Sequence, residues 1–263
     1  DPKETKQAME LLGFLDGQTT NPSLIAKNPK AQARLASGNK FSKEEVYSFY
    51  KDVVTEISAQ LPHGSVSIEV YADADTTAEA MTAQAKEMFF WINNAHSKLP
   101  ITQAGLTTAE TLIKENMRVN LTLCFSQAQA AAVYSATKGA TKGQVFVSPF
   151  SGRLDDINPN GLELLNNISK MFKPSDGHTE NLAASVRNLD HFLASIAYGA
   201  DIITAPMQIL QKWADAGMPI PDEAFKYSQN FEPIPYQELD LDQNWQNFDS
   251  HHDLTDKGLA KFS

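Results

Sequence analysis

VNLTLCF, residues 119–125, sets Asn120, Thr122 and Cys124 against Leu121, Leu123 and Phe125. Strict alternation of this kind predicts a β-strand with one polar and one apolar face. A strand of a parallel sheet, covered by helices, is expected to be apolar on both sides. The polar row therefore needs a reason, and the rest of the chain supplies the context.

Short β-branched runs recur at 65–70 (SVSIEV), 97–101 (SKLPI), 119–125, 144–150 (QVFVSPF), 181–187 (NLAASVR) and 201–206 (DIITAP). Amphipathic stretches separate them, such as Leu106, Ala109, Leu112, Ile113 and Met117 at helical spacing. Strand and helix in alternation imply right-handed crossovers and a parallel sheet. With FLDGQTTNP (14–22) as a further strand and its loop, the count is seven. Eight strands close a (β/α)8 barrel of about 250 residues. Asp1 and Pro2 read as an N-cap and a first-turn proline, so residue 1 opens on a helix and the first strand of such a barrel is expected to be missing from this sequence. The competing architecture is an open, doubly wound sheet of seven strands.

The 263 residues are enough for a full core, and the expectation is one barrel domain over 1–263, with 218–263 as a C-terminal extension packed on the barrel. That extension is rich in acids, Asn, Gln and aromatics and too poor in aliphatics for its own core; LTDKGLAKF (254–262) within it reads as a short helix. A net charge of −10, from 22 basic and 32 acidic residues, argues against nucleic acid or an anionic membrane as partner, so an anionic ligand needs a local basic site. A lone cysteine, Cys124, excludes an internal disulfide framework and suits a reducing compartment. No run approaches the roughly 20 apolar residues of a membrane span, and the chain does not open on a basic-then-apolar signal. A cytoplasmic protein is expected.

The polar and apolar alternation recurs. Ser67 and Glu69 oppose Val66, Ile68 and Val70; His96 and Lys98 oppose Ser97, Leu99 and Ile101; Asn181, Ala183, Ser185 and Arg187 oppose Leu182, Ala184 and Val186. With the apolar rows against the helices, the polar rows point into the barrel. Charges there cost several kcal/mol unless paired or neutralised, so Glu69, Lys98 and Arg187, all near C-terminal strand ends where barrel sites form, point to an active site.

The motifs DGQTTNPSLI (16–25), VSIEV (66–70), KLPITQAGL (98–106), NLTLCFSQAQA (120–130), SPFSGRLDD (148–156) and AASVRN (183–188) occur in one order over residues 1 to about 210. In these the chain resembles the transaldolases, Schiff-base enzymes on a (β/α)8 barrel. The resemblance implies transfer of a dihydroxyacetone unit between sugar phosphates in the pentose phosphate pathway, without cofactor or metal, with homo-oligomerisation left open. It implies that Lys98 forms the imine, which requires an uncharged amine. Glu69 and Thr122 match positions that hold a proton-shuttling water. Asn21, Asn120, Ser148 and Phe150 match substrate contacts, and Arg153, Ser185 and Arg187 match a phosphate site suited to bidentate guanidinium donors.

The resemblance also discriminates among relatives. Fructose 6-phosphate aldolases usually carry Gln at the position of Glu69 and Tyr at that of Phe150, so transfer is favoured over simple cleavage. A sugar-phosphate-binding barrel without turnover is the reading from a different class. The family's acid–base aspartate lies upstream of this numbering, and Asp16 is not its counterpart. Ser97 departs from the usual apolar residue and should touch the helices. The SHHD segment (250–253) lacks a recognised metal-ligand spacing, His96 reads as a satisfied interior histidine, MFFWI (88–92) as helix core or a subunit contact, and Cys124 as a small buried thiol.

Overall fold

The structure, a computed structural model, describes residues 1–22, 28–38, 41–222, 224–227 and 230–262. Residues 23–25 of the first motif lie outside them. In chain order the elements are α1 (Pro2–Leu12), β1 (Gly17–Thr19), α2 (Pro29–Ala36), α3 (Lys43–Gln60), β2 (Ser65–Glu69), α4 (Ala78–Phe89), β3 (Ala95–Pro100), α5 (Gln103–Lys114) and β4 (Val119–Cys124). There follow α6 (Gln127–Ala136), β5 (Val145–Pro149), α7 (Ser151–Asp155), α8 (Gly161–Phe172), β6 (Thr179–Ala183), α9 (Leu189–Ala197), β7 (Ile202–Ile203), α10 (Met207–Asp215) and α11 (Asp253–Phe262).

The seven strands pair in parallel in sequence order, β1 to β7. A doubly wound sheet would reverse its order at a switch point; this one never does. It curls until Thr19 Oγ1, at the end of β1, lies 2.9 Å from Thr204 Oγ1, just past β7, while α1 packs against both α3 and α10. The result is an incomplete (β/α)8 barrel.

Helix starts explain several motif residues that need no chemistry. Thr102, Ser126 and Asn188 follow β3, β4 and β6 and accept the N–H of Gly105, Gln129 and His191, capping α5, α6 and α9. Asp1 caps α1 as expected. Gly105 lets the first turn of α5 press on β3, because a Cβ there would collide with Pro100 O. Outward-facing Val66, Ile68, Leu99, Val119, Leu121, Val145 and Val147 are essentially inaccessible, each contributing about 1.5–3 kcal/mol by burial if aliphatic and large.

The extension straps the outside of the barrel. Asn167 and Glu163 of α8 bond the main chain of Ile234, Gln127 of α6 bonds that of Gln237, and Ser135 that of Gln243. Trp245 then donates to Glu110 of α5, and α11 returns to the mouth, where Thr255 donates to Leu123 O.

Two expectations are corrected. In β6 the faces are reversed: Asn181 Nδ2 donates outward to Leu165 O and Ser169 Oγ of α8, while Leu182 and Ala184 join Phe146 in the interior. MFFWI straddles the end of α4 rather than lying within a helix; Met88 and Ile92 are buried, and Phe90 is exposed.

Candidate active site

β2 and β3 are in register at Glu69 and Lys98, and both side chains point inward. Lys98 Nζ lies 2.9 Å from Glu69 Oε2 and 3.4 Å from Thr20 O. Both residues are buried, at 7% and 4% exposure, so the ion pair is shielded from the screening that weakens surface pairs. Burial raises the Glu69 carboxyl above the usual carboxylate range, and the Lys98 charge opposes that rise. A carboxyl so raised accepts a proton more readily than an exposed one.

β4 places Asn120 beside Lys98 and Thr122 beside Pro100. Asn120 is held on both sides: its amide donates to Ser67 Oγ at 3.0 Å and its carbonyl accepts from Ser148 Oγ at 2.7 Å. Thr122 Oγ1 is buried with no partner among the described residues. A buried hydroxyl without a partner is costly, so this one is available for a water or a substrate oxygen. Directly after it, Leu123 takes a left-handed φ of 61° and the ladder with β5 shifts register, so alternation stops at Thr122. Cys124 is fully buried, with its thiol pushed up to about 12 by burial, as fits an inert side chain.

Lys98 and Thr122 open onto a cavity of about 940 Å³ at the C-terminal ends of the strands. Asn21, Ser148 and Phe150 line it too, as do Arg153, Ser185 and Arg187. Glu69 stands behind Lys98, and Asn120 behind Ser148. Phe150 packs edge-on to Phe125 and lies under the guanidinium of Arg153.

The two arginines sit at the rim. Arg153, on α7, is half-buried, and burial together with the nearby charge of Arg187 lowers its pKa from the usual guanidinium value. Two cations in mutual repulsion favour an anion between them. Arg187 is exposed and pairs with Asp156 at 2.6 Å; it reaches the cavity from the loop after β6, not from inside the barrel as parity predicted. Ser185, with φ 60°, makes the turn that carries it there. Gly152 permits the approach, since a Cβ would meet Ser185 O and the Arg187 stem.

Sequence patterning missed three supports. Asp155 accepts from Gly161 N, tying the end of α7 to the start of α8, and lies 2.8 Å from His191 Nε2 of α9. Thr20 lends its carbonyl to Lys98. Tyr50, reaching in from α3, accepts the Glu69 N–H at 2.9 Å; nothing in its spacing marks it. His96 lies deeper, stacked on Phe146 and bonded to Gly143 O, its pKa lowered to about 4 by burial. Ser97 meets the helix layer at Ala85 O, as expected. Of the tail histidines, His251 is exposed and His252 stacks on Phe125; among the described residues no group of three metal-ligand side chains forms, and no helix is long and apolar enough to cross a membrane.

A family model described as "Transaldolase/Fructose-6-phosphate aldolase" matches residues 2–263. A protein of Dehalococcoides mccartyi named "Probable transaldolase" is 39% identical over 210 residues, covering 80% of this chain and 85% of that one. Proteins of the same name from Maricaulis maris and Geotalea uraniireducens are 41% and 37% identical over 199 and 236 residues, covering 76% and 89% of this chain and 79% and 96% of theirs.

Proposed function

The chain belongs to the transaldolase/fructose-6-phosphate aldolase family, and from that premise we propose that it transfers a dihydroxyacetone unit between sugar phosphates through an imine on Lys98. The observation that carries this reading is a buried lysine facing a cavity while hydrogen-bonded to a carboxyl of raised pKa.

In the proposed cycle, Lys98 passes a proton across the 2.9 Å contact to Glu69 and its free amine attacks the ketone of a ketose phosphate. Glu69 returns the proton, through a water held with Thr122, to the departing hydroxyl, giving the imine. The bond between the third and fourth carbons then breaks, with the fourth-carbon hydroxyl giving its proton through that water to Glu69, again a carboxylate after the dehydration, and an aldose phosphate leaving. The enamine left on Lys98 adds to the carbonyl of an acceptor aldose phosphate, which takes a proton at the new hydroxyl, so protons balance over the cycle. Hydrolysis of the imine frees the enzyme. Asn21 and Ser148 contact substrate hydroxyls, with Asn120 holding the Ser148 hydroxyl from behind, Phe150 packs against the carbon chain, and Arg153, Ser185 and Arg187 bind the phosphate. Donors such as fructose 6-phosphate or sedoheptulose 7-phosphate and acceptors such as erythrose 4-phosphate or glyceraldehyde 3-phosphate fit this chemistry, within the cytoplasmic pentose phosphate pathway.

The second reading is a fructose 6-phosphate aldolase. Phe150 favours transfer, because a phenyl ring has no proton to quench the enamine before an acceptor arrives. The two are separated by incubating the protein with fructose 6-phosphate with and without erythrose 4-phosphate. Transfer predicts glyceraldehyde 3-phosphate only with the acceptor. Rapid release of dihydroxyacetone without it means an aldolase, and binding without turnover means neither.

A further inference from the structure

The ladder between β1 and β2 is broken at the point where it meets Lys98. Ser65 N donates to Asp16 O and Thr20 N to Ser67 O, so the parallel pattern, advancing two residues at a time, predicts Glu69 N donating to Thr20 O. That rung is absent. Glu69 N donates instead to the hydroxyl of Tyr50, and Thr20 O accepts from Lys98 Nζ.

The proton directions around Tyr50 follow from chemistry. Ser67 O can only accept, so Thr20 Oγ1, 2.7 Å away, spends its proton there. Thr20 Oγ1 must then accept from Tyr50 OH at 2.6 Å, and Tyr50 accepts from Glu69 N. The single Tyr50 proton is committed, so the phenol is no acid or base in the reaction. Burial also raises its pKa and keeps it neutral. Its ring is fixed edge-on against Trp91, 6.0 Å between centroids.

We propose that Tyr50 is a positioning residue: by taking the Glu69 N–H it releases the Thr20 carbonyl to hold one proton of Lys98, aiming the amine at the cavity. The device is a missing rung in the sheet, filled from a helix outside it. Its role in turnover rests on the imine reading above.

The test uses Tyr50→Phe and Thr20→Val, with Thr20→Ser as the variant that keeps the hydroxyl, each checked for folding by circular dichroism. Modification of Lys98 by acetylacetone, read by mass spectrometry over roughly pH 6 to 9, reports the amine directly. Both hydroxyl-deleting variants are expected to shift that pH profile and to lower kcat about tenfold or more, with KM for fructose 6-phosphate changed by no more than about twofold, while Thr20→Ser stays near wild type. Folded variants with the wild-type acetylacetone profile overturn the proposal, whatever their kcat. Should wild type show no transfer, the function reading falls alone, because the acetylacetone profile still decides the role of Tyr50.

Discussion

Replacing Lys98 with methionine removes the charge opposite Glu69 and leaves the carboxyl buried. At 2.9 Å the pair's attraction is about 6 kcal/mol at an effective dielectric constant near 20. In the native protein burial raises the Glu69 carboxyl from its ordinary 4.5 and Lys98 opposes the rise; without Lys98 it must rise further. A carboxyl raised on folding is favoured in its protonated form, so its contribution is complete below the unfolded pKa and is lost as pH climbs through the folded one. Lys98→Met should therefore cost little near pH 5. Between the carboxyl's native pKa and its higher pKa in the variant the cost should grow by about 1.4 kcal/mol per pH unit, levelling off above the latter at the roughly 3–5 kcal/mol typical of an orphaned buried charge. Urea unfolding of both proteins at a series of pH values measures the gap. A gap that stays flat or narrows with rising pH would refute the buried ion pair.

Glu69→Gln should lower kcat by about 10²–10⁴ and abolish the acid limb of the native pH profile; since burial raises Glu69, that limb lies above 4.5, with activity falling as pH drops through it. Arg187→Ala should raise KM for phosphorylated donors roughly ten- to hundredfold and leave KM for unphosphorylated fructose unchanged; equal effects on both would remove Arg187 from the phosphate site. Gly152→Ala, whose Cβ would strike Ser185 O and the Arg187 stem, should show the same KM signature with about 1–3 kcal/mol less stability by urea unfolding.

The architecture was legible because strand and helix periods alternate over most of the chain and Thr77, Thr102, Ser126 and Asn188 cap the helices that follow β2, β3, β4 and β6. The inward placement of Glu69, Lys98, Asn120 and Thr122 was legible for the same reason: parity holds along β2, β3 and β4 up to Thr122. Parity failed at β6, because a polar side chain facing a helix looks the same in sequence as one facing the barrel, and Asn181 finds its partners on α8. It failed again where the backbone leaves the strand region, at Leu123 and Ser185; the turn at Ser185 puts Arg187 at the rim. Tyr50 could not be found by spacing at all, since its hydroxyl reaches the site from a helix whose own pattern shows only burial.

The most direct measurement is borohydride reduction in the presence of fructose 6-phosphate, followed by peptide mass spectrometry. A stable reduced adduct confined to Lys98, and abolished in Lys98→Met, is the predicted result. Turnover with no adduct on Lys98, or an adduct on another lysine, would contradict the account.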